Sequence, residues 1–365
     1  MKRDLAIAVT GKLKSAGVDV SINSNITLID KEFIRFIKLN DIPILTSCPS
    51  ENPQLFSHMI GVNNYEIFES KLKVLCSEGI RVAVNMVVTR DNLQQIRRTA
   101  KRLNEIGCVN FSATPMFLNM DYPRPDLLLS KEDIPYVVEE LLWIQNRYGM
   151  DIDILESLPK CIFPRNVLYE DHVFLNRKCQ AGRTVIGVSP SGEVRPCSTN
   201  SISYGNILND SVTEIWNKMH EWRTDKYFPK ECVNCAWIDR CNSGCRINAK
   251  TLYGEWNSPE IWFNGIISED PPKDYKAFVL EAGTVITISK TYKIRKEYDK
   301  IYVVFNTKDQ SFMMVNGMIK KFIETLPEGK IDISKLALLY NTSVDNPSFK
   351  ECINLLINKN LIQII

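Results

Sequence analysis

From residue 17 to residue 116 the chain alternates between two apolar spacings. Gly17–Asn23 alternates apolar and polar positions, the two-residue period of a strand. Asp30 then stands as an N-cap before Phe33, Ile34, Phe36 and Ile37, whose spacing predicts a helix. Ile42 to Thr46 predicts a short strand, followed by the loop Ser47-Cys48-Pro49-Ser50. Tyr65 to Leu75 returns to helical spacing through Ile67, Phe68, Leu72 and Leu75. Ile80 to Val88 is nearly continuous and β-branched, as in a strand buried on both faces of a parallel sheet. Asn92 opens another helix carrying Leu93, Ile96, Ala100 and Leu103, and Val109 to Met116 predicts a fourth strand. Four strand–helix units in succession imply an α/β fold with a parallel sheet and right-handed crossovers. Ligands then belong at the carboxyl ends of the strands.

A further helix, Lys131 to Arg147, carries Val137, Val138, Leu141, Leu142 and Ile144. Beyond it the regular pattern stops. Residues 159–265 are rich in Cys, Gly, Pro and Asn, with little apolar surface, and call for a staple such as bound metal. EDPPKD at 269–274 reads as a linker. From Thr291 to Asn306 two strands flank a polar turn. Asn316 then N-caps a helix with Ile319, Phe322, Ile323 and Leu326 on one face, followed by helices at Lys335–Leu339 and Ser348–Asn358. Strands plus three helices form a winged-helix-like α+β layout. The expected division is 1–158, 159–265 and 275–365.

Composition narrows the function classes. A chain of 365 residues has material for two or three domains, and its 44% hydrophobic and 24% charged residues are ordinary for a globular protein. A net charge of +2, from 45 basic and 43 acidic residues, argues against nucleic acid as a partner. No apolar run approaches the roughly 18 residues of a membrane span. The apolar core LAIAV near the start is shorter than the roughly 7 to 15 residues of a secretory signal. The expected compartment is therefore cytoplasmic. There, the 11 cysteines point to metal binding or redox chemistry rather than disulfides.

Four of those cysteines, Cys232, Cys235, Cys241 and Cys245, form C-x2-C-x5-C-x3-C. A zinc ribbon suits C-x2-C but normally repeats it some 15 to 20 residues on, which is not what stands here; thiolate-only ligation at irregular spacing favours iron–sulfur clusters, with zinc as the alternative. A second stretch, Cys179 to Cys197, reads C-x12-G-x4-C, with Gly192 in an expected hairpin turn. It is followed by Gly205-Asn206-Ile207 and a helix over Ser211–Trp222 containing Ile215-Trp216.

This combination resembles the SPASM domain of radical S-adenosylmethionine (radical SAM) enzymes, over about 85 residues. The resemblance implies auxiliary 4Fe–4S clusters, one held by Cys179, Cys197 and Cys245 and a second by Cys232, Cys235 and Cys241. The family usually adds one more cysteine shortly after the four-cysteine run. Here the next is Cys352, so the second cluster lacks its usual closing ligand. Cys161 is a candidate fourth ligand for the first cluster, its plainer reading being a buried cysteine. Cys76, Cys108 and Cys352 read as core residues and Cys48 as a structural residue at a strand end. His58, His172 and His220 are scattered and form no triad.

By the same resemblance VDVSINSN, ILTSCPS and VAVNMVVTRDN are similar to the third, fourth and fifth strands of a radical SAM (β/α) barrel. Ser47 and Asn85 are then the candidate S-adenosylmethionine residues; otherwise they are a turn residue and a polar residue satisfied inside the sheet. The family's C-x3-C-x2-C triplet does not occur in the chain, and its first two strand–helix units have no counterpart. The expectation is a partial barrel, truncated or degenerate, with an exposed strand edge at Val18–Asn23. Residues from Lys293 to Ile362 resemble the small peptide-binding (PqqD-like) domain of pyrroloquinoline quinone biosynthesis, which captures a leader peptide as an added strand. Lys293, Arg295 and Lys296 are interleaved with Glu297 and Asp299, which makes DNA the weaker partner.

The resemblance implies a maturase acting on a ribosomally synthesised peptide through a 5′-deoxyadenosyl radical. Its partners would be a precursor peptide with its leader and an electron donor such as a flavodoxin or ferredoxin. The alternatives are a sulfatase-type maturase and a non-catalytic, iron–sulfur- or zinc-stapled peptide-binding module.

Overall fold

The computed structural model describes residues 3–170, 172–271, 278–298, 301–307 and 312–365. The chain divides into two compact units, Met1–Pro271 and Pro272–Ile365.

The first unit opens with α1 (Arg3–Ser15), β1 (Ile22–Asn23), α2 (Lys31–Leu39), β2 (Ile44–Ser47), α3 (Pro53–Ile60) and α4 (Tyr65–Ser77). It continues with β3 (Val82–Val88), α5 (Ile96–Ile106), β4 (Asn110–Pro115), α6 (Asp133–Tyr148) and β5 (Asp151–Asp153). The five strands pair in parallel, in the order of the sequence. Sequential order is the winding of a (β/α) barrel, because each crossover carries the chain to the adjacent strand position. One core cluster joins Val84, Met86 and Val88 on β3 to Phe33 on α2, Leu72 on α4 and Ile96 on α5. Asp30 caps α2 as expected, its carboxylate accepting from the Phe33 N–H at 2.9 Å.

Four elements of this region differ from the sequence reading. The strand expected over Gly17–Asn23 shrinks to Ile22–Asn23, because the Val18 N–H turns back to the Leu13 carbonyl at the end of α1. The ladder begins only where Ile22 donates to the Pro43 carbonyl. Helices α1 and α3 and strand β5 are additional. In α1, Leu5, Val9 and Leu13 remain exposed, so burial gives no periodic signal of the core-facing kind.

The cysteine-rich stretch contains α7 (Arg165–Leu168), β6 (Gly187–Val188), β7 (Glu193–Arg195), β8 (Gly205–Asn206), α8 (Val212–Lys218), α9 (Ile238–Cys241) and α10 (Arg246–Tyr253). Strands β6, β7 and β8 form a small antiparallel sheet whose first turn holds Gly192 at φ +88°. A Cβ there would meet the Asn206 Oδ1 at 2.5 Å, so both the backbone angle and the space require glycine.

The second unit comprises β9 (Val285–Ile288), β10 (Tyr292–Tyr298), β11 (Ile301–Asn306), β12 (Phe312–Asn316), α11 (Gly317–Thr325), β13 (Gly329–Asp332), α12 (Ile333–Leu339), α13 (Pro347–Asn358) and β14 (Ile362–Ile364). Two antiparallel sheets, β10-β11-β12 and β13-β9-β14, accompany the three helices. Ile286, Ile323, Ile333, Leu336, Ile353 and Leu356 form its core. Asn316 caps α11, accepting from the Met318 and Ile319 N–H groups at 3.0 Å. Residues 272–274 of the expected linker and the turn residues Asp299 and Lys300 lie outside the described residues.

Helices α4 and α5 are tied by Glu69. Its carboxylate accepts two hydrogen bonds from Arg102, at 2.9 and 2.6 Å, one from Tyr65 at 2.9 Å and one from Lys73 at 2.5 Å. The Arg102 fork chiefly pulls the Glu69 pKa down to about 2. A carboxylate with a depressed pKa adds stability above its ordinary titration range, which is lost as pH falls from about 4.5 through about 2. Glu69→Ala is expected to cost about 2 kcal/mol at neutral pH, by loss of charge-assisted hydrogen bonds. It should also flatten the acid limb of stability, both read from denaturant unfolding across that pH range.

Candidate metal centre

The parallel sheet presents a polar row on one face. Register places Ser47 on β2 beside Asn85 on β3, Asn85 beside Ser112 on β4, and Ser112 beside Asp153 on β5. The two residues picked from sequence are thus cross-strand neighbours. Ser47 is exposed at the carboxyl end of β2, whereas Asn85 is buried in mid-strand and its Oδ1 accepts from the Thr114 hydroxyl at 2.8 Å. Asp153 pairs with Arg177. Sequence reading missed Ser112, Thr114, Asp153 and Arg177; the period of two along β4 would have found Ser112 and Thr114. A cavity of about 540 Å³ opens beside this row, lined by Leu45, Ala83, Asn110, Ser112, Asp153 and Arg177 among others, and neither Ser47 nor Asn85 lines it.

Cys48 lies in the core at the foot of this row, and burial pushes its thiol up to about 12. Cys76 and Cys108 sit together, their sulfurs 3.6 Å apart. Cys352 is half-buried on α13 of the second unit.

The remaining seven cysteines fall into two groups. Cys179, Cys197 and Cys245 pack on one small apolar cluster built on Ala181, Val194, Ile215, Met219, Trp222 and Ile247. Burial raises the Cys179 and Cys245 thiols, and the neighbouring cysteines of the group raise them further. Cys161, Cys232, Cys235 and Cys241 line a second pocket, closed by Trp237, Phe263 and Ile267. Burial pushes Cys161 and Cys232 up to about 12 and raises Cys241.

Cys161 therefore stands with the second group, not with the first as expected from sequence. The physical cause is a tertiary contact. Cys161 lies on a 3-10 turn, Lys160–Ile162, whose leading N–H, that of Lys160, donates to the Cys241 sulfur at 3.3 Å.

The backbone between Cys241 and Cys245 explains why neighbouring cysteines separate. Asn242, Ser243 and Gly244 have φ of +50°, +57° and +74°, three left-handed residues in succession. A right-handed helix would put residues four apart on one face; this reversal sends Cys245 to the other group. The strained pair is held by side chains. Asn242 Nδ2 donates to the Cys179 carbonyl at 2.9 Å, and the Ser243 hydroxyl to the Asn242 carbonyl at 2.7 Å.

Lys160 is fully buried beside Cys241. Its ammonium donates to the Arg177 carbonyl at 2.6 Å, and burial lowers its pKa to about 8. Glu260, beside Cys245, is raised to about 7 by burial. It accepts from Asn248 Nδ2 and from the Trp262 N–H, each at 2.7 Å. Asn248 Oδ1 in turn accepts from the Leu118 N–H at 2.9 Å, so α10 is locked to the segment leaving β4.

Thiolate-only donor sets are the kind that iron–sulfur clusters use, and Cys161, Cys232, Cys235 and Cys241 line one small pocket. Among the described residues no three Cys, His, Asp or Glu side chains are already gathered on one ion position.

Residues 179–242 match the SPASM family, an iron–sulfur cluster-binding domain. The chain is 24% identical over 264 residues to the AdoMet-dependent heme synthase of Nitratidesulfovibrio vulgaris, covering 67% of this chain and 71% of that protein. It is 27% identical over 238 residues to the antilisterial bacteriocin subtilosin biosynthesis protein AlbA of Bacillus subtilis, covering 62% of this chain and 50% of AlbA. It shares the fold of Streptococcus suis SuiB bound to precursor peptide SuiA, with a TM-score of 0.55 at 15% identity, covering 70% of this chain and 61% of SuiB. The chain therefore carries a SPASM iron–sulfur segment on the fold of radical SAM enzymes. It spans half the length of AlbA. Among the described residues no helix is long and apolar enough to cross a membrane.

Asn92 fixes the loop beside Ser47. It is fully buried; its Oδ1 accepts from the Thr89 N–H at 2.8 Å, and its Nδ2 donates to the Pro49 and Val87 carbonyls at 2.9 and 3.0 Å. Asn92→Ala leaves these buried backbone groups unpaired and is expected to cost about 2 to 3 kcal/mol. The check is the unfolding midpoint, together with faster hydrogen exchange in residues 47–52.

Proposed function

We propose that this chain supplies the sheet, the auxiliary iron–sulfur segment and the peptide-recognition unit of a radical SAM/SPASM maturase acting on a ribosomally synthesised peptide in the cytoplasm. The observation that carries the reading is the sorting of seven cysteines into two groups within and beside the SPASM match. Cys179, Cys197 and Cys245 would hold one auxiliary cluster, and Cys232, Cys235 and Cys241 would ligate the other. Such clusters supply one-electron chemistry or a site for substrate. Ser47 and Asn85 are the residues assigned to S-adenosylmethionine, supported by their adjacency at the exposed end of the polar row.

The protein's own residues set the conditions. Burial keeps unligated thiols protonated, so loading must expel protons and depends on pH. The pocket walls Trp237, Phe263 and Ile267 exclude water. The division into 1–158, 159–265 and 275–365, with the last segment as a PqqD-like winged helix, belongs to the same proposal. A leader peptide would add as a strand to the exposed edge of β10 or β12, which lie at the two sides of a three-stranded antiparallel sheet. Electrons would come from a small redox protein such as a flavodoxin or ferredoxin.

A second reading is a non-catalytic, metal-stapled peptide-binding module, which would need the two cysteine groups but no S-adenosylmethionine chemistry.

Anaerobic reconstitution of the purified chain with iron and sulfide tests the first reading. The expected result is a broad visible absorption band and about eight iron atoms per chain, for two four-iron clusters. Replacing Cys179, Cys197 and Cys245 together by Ala should halve the iron. A colourless chain that takes up one zinc and no sulfide would overturn it. Formation of 5′-deoxyadenosine from S-adenosylmethionine under a chemical reductant would favour the enzyme over the module; no formation by the iron-loaded chain would favour the module.

A further inference from the structure

We propose that Cys161 closes the second iron–sulfur site as its fourth protein ligand, reaching it from the amino-terminal side of the SPASM segment. The first site, built from Cys179, Cys197 and Cys245, then keeps one iron without a cysteine. The inference rests on the iron–sulfur reading above and adds which residue completes which site.

Three observations carry it. First, Cys161 lines the same pocket as Cys232, Cys235 and Cys241. Second, backbone N–H groups point at three of the four sulfurs: Lys160 at Cys241 at 3.3 Å, Asn264 at Cys161 at 3.2 Å, and Ile267 at Cys235 at 3.5 Å. Those donors come from both flanks of the pocket, the 3-10 turn before the SPASM segment and the irregular stretch 264–267 after it. Donors on sulfur stabilise thiolate and tune cluster potential, and they mark Cys161 as equivalent to the established motif cysteines rather than as a packing residue. Third, no cysteine lies between Cys245 and Cys352, so the usual source of a closing ligand, just downstream of the run, is empty in this sequence. Downstream of the run the chain contributes Asn264, whose backbone N–H serves the Cys161 sulfur.

The ligand is the same atom type supplied from a different point in the chain. On loading, each of the four thiols gives up its proton as its sulfur bonds to iron, and no oxidant or reductant is consumed by ligation itself.

The test uses the full chain reconstituted anaerobically with ferrous iron and sulfide. In a Cys179→Ala/Cys197→Ala/Cys245→Ala background the second site stands alone and should take about four iron atoms per chain. Adding Cys161→Ala should leave a cluster held by three cysteines, with bound iron falling from about four toward three per chain. The cluster that remains should convert on mild oxidation to a three-iron form with its own electron paramagnetic resonance signal. Adding Cys352→Ala should change neither. Cys161→Ser, which conserves size, should give the same loss in the otherwise intact chain, and circular dichroism must show that each variant keeps its helix content. Iron content and spectrum unchanged by either Cys161 substitution would overturn the proposal while leaving the iron–sulfur reading intact. Absence of iron from the background and from the intact chain would overturn both.

Discussion

The fold of the middle segment depends on one backbone reversal. Cys241 ends a short right-handed turn, and the next three residues run left-handed before Cys245 begins α10. Asn and Gly tolerate that conformation; Ser243 does so because its hydroxyl and carbonyl are both engaged, the carbonyl by Arg246. Gly244 has an additional reason: a Cβ there would meet Glu260 Cγ at 3.1 Å, the carboxyl that anchors α10 to the sheet. Two cysteines four residues apart thus face two different pockets, and the segment closes on itself around both. With so few buried apolar residues of its own, this closure is what makes the stretch a folded body.

The reversal is coupled to the sheet. Glu260 and Asn248 reach the Leu118 N–H just beyond β4, and Trp262 donates to the Leu129 carbonyl at 3.1 Å. The carboxyl ends of the strands and the three-thiol group are therefore positioned by one buried polar network, each member of which is paired. A paired network of this kind fixes geometry more stringently than apolar packing does, because any displacement leaves a buried donor or acceptor without a partner.

Much of this was legible in the sequence because it is written in short-range patterns. The helices at Asp30 and Asn316 announce themselves by caps, and the hairpin at Gly192 by its turn residue. The strand Val82–Val88 shows in its β-branched run. What escaped was set by tertiary choice. Val18 looked like a strand residue, yet its N–H is captured by the end of α1. Asp151–Asp153 is a three-residue strand, too short for a period to register. Cys161 was grouped with Cys179 from sequence distance, 18 residues against 71 to Cys232, whereas it lines the pocket of Cys232, Cys235 and Cys241. The turn at Lys160 reverses that order in space, and nothing local to Cys161 encodes where the turn will dock.

Charge gives the second pocket its character. Lys160 is a fully buried ammonium, and among the described residues no carboxylate pairs with it. Arg177, Lys178 and Arg240 are close enough to disfavour its charge further. Burying a cation among other cations costs several kcal/mol unless an anion compensates. Four protonated thiols offer no such compensation, whereas thiolates bound to iron carry net negative charge directly against Cys241, the neighbour that most favours the charged lysine. The Lys160 ammonium is held by the Arg177 and Phe174 carbonyls and lies over the Phe163 ring. Ionised sulfur at Cys241 would favour its charge further, which ties the protonation of the lysine to the state of the thiols beside it.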